Sequence, residues 1–99
     1  MPKAVLRQEA IEDLNGIWIY TCEKWSEQQA DKYYSTLKVA CEDIGNNPKL
    51  GREYNEIRKN LLGLKSGRHI IFYQIINEDD IEIIRILHDQ MDLKARMNE

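Results

Sequence analysis

The sequence predicts a two-layer α+β domain, a helical hairpin packed on an antiparallel β-sheet in the order β-α-α-β-β-β. Three observations predict it. Residues 68–76 and 81–88 are runs rich in β-branched and aromatic side chains, joined by the polar connection Asn77-Glu78-Asp79-Asp80, which is the pattern of a β-hairpin. Two stretches of helical period are separated by a break at Ser26. A short apolar run from Pro2 to Leu6 precedes them and reads as a first strand.

In the first helix Ile11, Leu14, Ile17, Trp18, Thr21, Cys22 and Trp25 share one face, with Ile19 and Tyr20 off that stripe. Glu9, Glu12 and Asp13 fall in its first turns, where the helix dipole favours carboxylates. Ser26-Glu27-Gln28-Gln29 fits a capping box for a second helix. Its stripe is Ala30, Tyr33, Tyr34, Leu37, Ala40, Cys41 and Ile44, with Gly45 as the C-cap and Asn47-Pro48 as the stop. So short a break makes an antiparallel helical hairpin.

Residues 49–60 are polar and read as a loop, residues 61–65 as a short strand, and Ser66-Gly67 as the turn into the central hairpin. Period-2 alternation puts Ile70, Phe72, Gln74 and Ile76 on one face of the next strand, opposite His69, Ile71, Tyr73 and Ile75. In the last strand Ile81, Ile83, Arg85 and Leu87 oppose Glu82, Ile84, Ile86 and His88. Both faces are apolar, so the hairpin sits mid-sheet and needs two covers. The helical hairpin is one, and the other is expected in trans from a partner. The polar stretch 90–99, anchored only by Met91, Leu93 and Met97, is expected to be a mobile tail.

Ninety-nine residues make a single domain, 1–99, and an apolar share of 42% with 31% charged residues argues against disorder. No apolar run approaches the roughly 20 residues that span a bilayer, and no signal-peptide pattern opens the chain, so a soluble cytoplasmic protein without membrane contact is expected. Cys22 and Cys41 are too few for a disulfide scaffold and read as buried thiols. Net charge is −3, split as −3 over residues 1–45, +4 over 46–76 and −4 over 77–99. That balance disfavours a general nucleic-acid binder, whose affinity rests on neutralising phosphates.

No glycine-rich phosphate loop, CxxC pair, HExxH or GxSxG is present. His69 and His88 stand at opposite ends of the central hairpin in sequence, ends that an antiparallel hairpin brings close in space, so the two could face one another. The pair could cap the strand ends, work as acid and base, or hold a metal with Asp89 and Asp92. Arg52, Arg58, Arg68 and Arg85 could converge on one edge to stabilise a phosphodiester. Arg85, mid-strand among apolar residues, calls for a carboxylate partner from the helical hairpin or the tail.

Nearly the whole chain carries a family pattern. Asp13-Leu14, Ile17-Trp18, Tyr20-Thr21, Trp25 and Gln29-Ala30 are followed by Asn47-Pro48, Gly51-Arg52 and Ile57-Arg58. Then come Ser66-Gly67-Arg68-His69-Ile70-Ile71-Phe72-Tyr73 and Ile84-Arg85-Ile86-Leu87-His88 with Met91-Asp92. The chain resembles the ParE-type toxins of the RelE/ParE toxin–antitoxin superfamily, which implies the RelE/ParE-like fold. The resemblance implies the toxin of a two-gene module, without cofactor or metal, that inhibits DNA gyrase. It also implies neutralisation by a ParD-like antitoxin in a hetero-oligomer, which reaches DNA only through the antitoxin. RelE-like relatives are instead ribosome-dependent mRNA endonucleases. Here the strand position of the nuclease arginine is Ile70, the C-terminal catalytic position falls at Gln90 or Met91, and no tyrosine follows. A protein target and no catalytic residues are therefore expected.

Ile19, Tyr20, Val39, Ile71 and Tyr73 are the expected antitoxin-binding residues, and Arg68, His69, Arg85, His88, Met91 and Asp92 the expected target-binding ones. Two alternatives stay open: an mRNA endonuclease using His69, His88, Arg68 and Arg85, and a degenerate toxin acting only in the repressor complex. One departure stands out. Relatives often begin the first helix with Ser-Pro, whereas Arg7-Gln8 here offers no capping side chain, at a cost of about 1 kcal/mol.

Overall fold

A computed structural model describes residues 3–97. The elements are β1 (Lys3–Leu6), α1 (Gln8–Lys24), α2 (Glu27–Asn46), β2 (Arg52–Glu53), β3 (Leu62–Ser66), β4 (His69–Ile75), β5 (Asp80–His88) and α3 (Leu93–Met97). The caps follow local chemistry. Ser26 Oγ accepts the Gln29 amide at 3.0 Å, whereas Arg7 caps α1 without a side-chain bond. The helix α2 runs past Gly45 and ends at Asn46, capped by Asn47. Gly45 is instead buried within the helix, so it is not the C-cap.

The strands form one sheet in the order β1-β5-β4-β3-β2. The expected antiparallel set β3–β5 is present, but the whole sheet is mixed, because β1 lies parallel to β5. The two-residue edge strand β2 pairs with β3 and was invisible to periodicity, being exposed and polar. Gly51, just before it, has a geometric reason. A Cβ there would lie 2.6 Å from the Tyr73 hydroxyl and 2.8 Å from the Gly63 carbonyl. That hydroxyl donates to the Pro48 carbonyl and accepts the Gly51 amide.

Two cores lie on opposite faces of the sheet. Leu14, Leu37, Cys41 and Ile44 from the helices pack on Ile71, Tyr73, Ile81, Ile83 and Ile86. Burial there pushes the Cys41 thiol up to about 11, so it is an inert packing group. On the other face Tyr54, Leu61 and Met97 pack on Ile70, Phe72, Ile84 and Leu87, with Ile57 and Leu93 alongside. The second cover is therefore the chain itself, supplied by the 54–61 segment and α3. The stretch expected as a tail is docked through α3, with Met97 buried; its last two residues, 98 and 99, lie outside the described residues, as does Pro2 of the expected first strand.

Strict alternation holds along β4 and fails along β5. Phe72 pairs with Arg85 and Tyr73 with Ile83, so Ile84 is an extra residue in a β-bulge. As a result Ile81, Ile83 and Ile86 share the helix-side core, while Ile84 and Leu87 join the other. Ile71 and Tyr73 are 0% exposed beneath the helices, which corrects their expected antitoxin-binding role: neither can present its side chain to a partner in the folded domain. Among the described residues no helix is long and apolar enough to cross a membrane.

Candidate functional site

At one end of the central hairpin the strands β4 and β5 meet the α1–α2 hairpin and leave an open groove. Register makes His69 and His88 direct partners across the strands, and their rings pack edge to face with centroids 5.2 Å apart. The groove has two adjoining hollows that share Tyr20, His69 and His88. The hollow toward the C-terminal segment, about 520 Å³, adds Ile17, Arg85 and Met91. The hollow toward the start of α2, about 430 Å³, adds Trp25, Gln29, Tyr33 and Arg68. Trp25 ends α1 with 77% of its surface exposed, and Tyr20 is 61% exposed.

Tyr33 organises the β3–β4 end. Its hydroxyl accepts the Arg68 amide at 3.0 Å and lies 2.7 Å from His69 Nδ1 and 3.4 Å from the Ser66 carbonyl. The turn beneath it needs Gly67, whose φ is +60° and whose added Cβ would strike the Tyr33 ring at 2.7 Å. Burial pushes the Tyr33 hydroxyl above its ordinary range.

Burial, and then the neighbouring His88, hold His69 down at about 4, against the opposing pull of Asp89 and Asp13. Its ring is neutral at pH 7. A pH dependence follows. Between its ordinary value of 6.5 and the folded value of about 4, the unfolded chain takes up a proton that the folded chain refuses. Stability contributed by the neutral ring is present above 6.5 and is lost as pH falls toward 4. Urea midpoints at pH 7.5 and 4.5 are expected to fall less in His69→Gln than in the parent chain.

At the opposite wall Asp13 of α1 binds three donors on β5. Its carboxylate accepts Arg85 Nε and Nη2 at 2.8 and 2.9 Å and the Ile86 amide at 2.9 Å. Arg85 Nη1 also donates to the Arg96 carbonyl in α3. The pair thus ties α1, β5 and α3 together where β1, paired only as far as Ile83, no longer covers the edge of β5.

A model of the family described as "ParE toxin of type II toxin-antitoxin system, parDE" matches residues 4–93. This chain belongs to that ParE toxin family. It is 35% identical over 84 residues to Toxin ParE1 of Mycobacterium tuberculosis (strain CDC 1551 / Oshkosh), covering 85% of this chain and 86% of that one. To Toxin ParE1 of Caulobacter vibrioides it is 33% identical over 92 residues, covering 93% and 94%. A solved structure titled "Chromosomal ParDE TA system from P. aeruginosa" shares the fold. Its TM-score is 0.78 at 14% identity, over 89% of this chain and 96% of that one.

Of the residues singled out from the ParE pattern, the fold brings Tyr20, Arg68, His69, Arg85, His88 and Met91 to one groove. Asp92 stands apart, exposed, and its Oδ1 accepts the Ala95 amide at the start of α3. Ile19 faces a separate hollow with Trp18 and Tyr34, and Val39 is exposed on α2. Arg52 and Arg58 do not converge with the others. Arg52 stacks 3.8 Å over the Tyr54 ring, and Arg58 donates to the Met97 carbonyl on the far face. Sequence reasoning missed Tyr33 and Gln29 as groove residues. Both sit at the start of α2, and only the tertiary packing brings that turn beside the hairpin end. Among the described residues no cluster of three or more histidines, cysteines and carboxylates could hold a metal ion.

Proposed function

We propose that this ParE family member inhibits DNA gyrase in the cytoplasm and is neutralised by direct binding of a ParD-like antitoxin. The observation that supports this most is the groove itself. Tyr20, drawn from the antitoxin side of the pattern, stands in one continuous depression with Arg68, His69, His88 and Met91, drawn from the target side. An antitoxin segment in that groove excludes the target sterically.

A binding role rather than catalysis is favoured by the groove's chemistry. The position of the nuclease arginine is Ile70, which is buried in the far core, and His69 is too weak a base to move protons near pH 7. Purified toxin is expected to block supercoiling by gyrase, and added antitoxin to restore it. Mapped mRNA cuts in translating ribosomes, with supercoiling untouched, would overturn the proposal in favour of endonuclease activity. Tyr20→Ala removes an exposed aromatic from the groove wall and is expected to weaken antitoxin binding about tenfold or more while leaving the fold intact. Unchanged affinity in calorimetry would place the antitoxin elsewhere.

A further inference from the structure

The hydrogen bonds around the two histidines determine where their protons lie. The Tyr33 hydroxyl, whose oxygen accepts the Arg68 amide, has two acceptors in reach, His69 Nδ1 at 2.7 Å and the Ser66 carbonyl at 3.4 Å, and the shorter distance favours donation to His69. His69 therefore carries its proton on Nε2. The Gln90 amide donates to His88 Nδ1 at 3.0 Å, which places the His88 proton on Nε2 as well. The Asp89 Oδ1 atom, 3.4 Å from His88 Nδ1, is accordingly left buried without a donor.

Among the described residues neither Nε2 atom has a hydrogen-bond partner, and the guanidinium of Arg68, which lines the same hollow as the two histidines, has neither hydrogen bond nor ion pair. Three donors thus line one groove. The nearest carboxylates do not satisfy them: Asp13 is held by Arg85, and Asp89 Oδ2 is 3.3 Å from Lys65 Nζ.

We infer that Arg68, His69 and His88 form a binding site for a single oxyanion, the carboxylate of an acidic side chain in a protein partner. A carboxylate is favoured over a nucleic-acid phosphate on two grounds. The walls beside the donors are apolar, with Ile17, Tyr20, Trp25 and Met91, which suits a bulky residue next to the acidic one. The chain carries −3 overall, and the +4 of residues 46–76, which include Arg68 and His69, is offset by −4 over residues 77–99, a balance that suits one carboxylate better than a polyanion. The inference deepens the protein-binding reading above and rests on it only for the source of the anion.

The test uses the full chain labelled with ¹⁵N, free of antitoxin. Long-range ¹H–¹⁵N spectra at pH 7 are expected to show both histidines protonated on Nε2. Titration then compares acetyl-Leu-Glu-Phe-Leu-amide with its Gln counterpart, and with inorganic phosphate and tetrauridylate. The Glu peptide is expected to bind about tenfold more tightly than the Gln peptide, as a charge-assisted bond requires, and to shift both Nε2 signals. Arg68→Gln, with an otherwise unchanged spectrum, is expected to abolish that difference. An Nδ1-protonated tautomer at either histidine, equal affinity of the two peptides, or tighter binding of phosphate or tetrauridylate overturns the inference. None of these readings depends on gyrase, so a failed supercoiling assay leaves this site standing, and the reverse holds too.

Discussion

Replacing Asp13 by alanine is expected to cost about 3–5 kcal/mol of folding stability, the range for stripping one partner from a largely buried ion pair. The two side chains are 15% and 17% exposed, so solvent cannot rescue the remaining charge. The loss is threefold. Arg85 keeps a positive charge without its bidentate carboxylate, the Ile86 amide loses its acceptor, and α1 loses its polar tie to the bare edge of β5. The carbonyl of Arg96 accepts Nη1, not the Nε and Nη2 that Asp13 releases. Since domains of this size are stable by only about 5–15 kcal/mol, much of the margin goes. Urea unfolding followed by circular dichroism reads the effect. Asp13→Asn, which keeps an acceptor, is expected to lose less. A drop below about 1 kcal/mol for the alanine variant would mean that the pair is a surface ornament.

Phe72→Ala is expected to cost a similar amount, about 3–5 kcal/mol, through lost burial and the cavity left behind. The Phe72 ring is fully buried and meets the Tyr54 ring edge-on at 5.1 Å, in the core closed by Leu61, Ile84, Leu87 and Met97. Were that face of the sheet awaiting a partner, the isolated protein would tolerate the change and only its complex would suffer. Here the destabilisation is expected in the isolated chain, because its own 54–61 segment and α3 close the core. A thermal midpoint shifted by less than about 4 °C in the isolated protein contradicts that reading.

The same residues show how far the sequence could be read. The helical hairpin and the β3–β5 meander were legible because each is a local periodic pattern, and the Ser26 cap was legible because its bond spans three residues. The pairing of Arg85 with a carboxylate of the helical hairpin was legible in kind, since a charge among isoleucines needs a partner, although Asp13 could not be chosen among the acids of α1. The meeting of His69 and His88 was legible too, because a hairpin brings its ends together.

What sequence alone determined is therefore whatever depends on neighbours within a turn or a hairpin: element types, the two-sided apolar strands, the histidine pair and the family pattern. Only the tertiary structure decided the rest. It set β1 parallel to β5, since strand direction depends on how the helices carry the chain back. It moved Ile86 and Leu87 to faces opposite to those alternation assigns, since a single bulge at Ile84 shifts the phase of everything after it. It buried Ile71 and Tyr73 under the helices and closed the second face with α3, because a five-residue helix has no periodic signal strong enough to announce that it docks. And it placed Tyr33 against His69, a 36-residue separation that only packing can bridge.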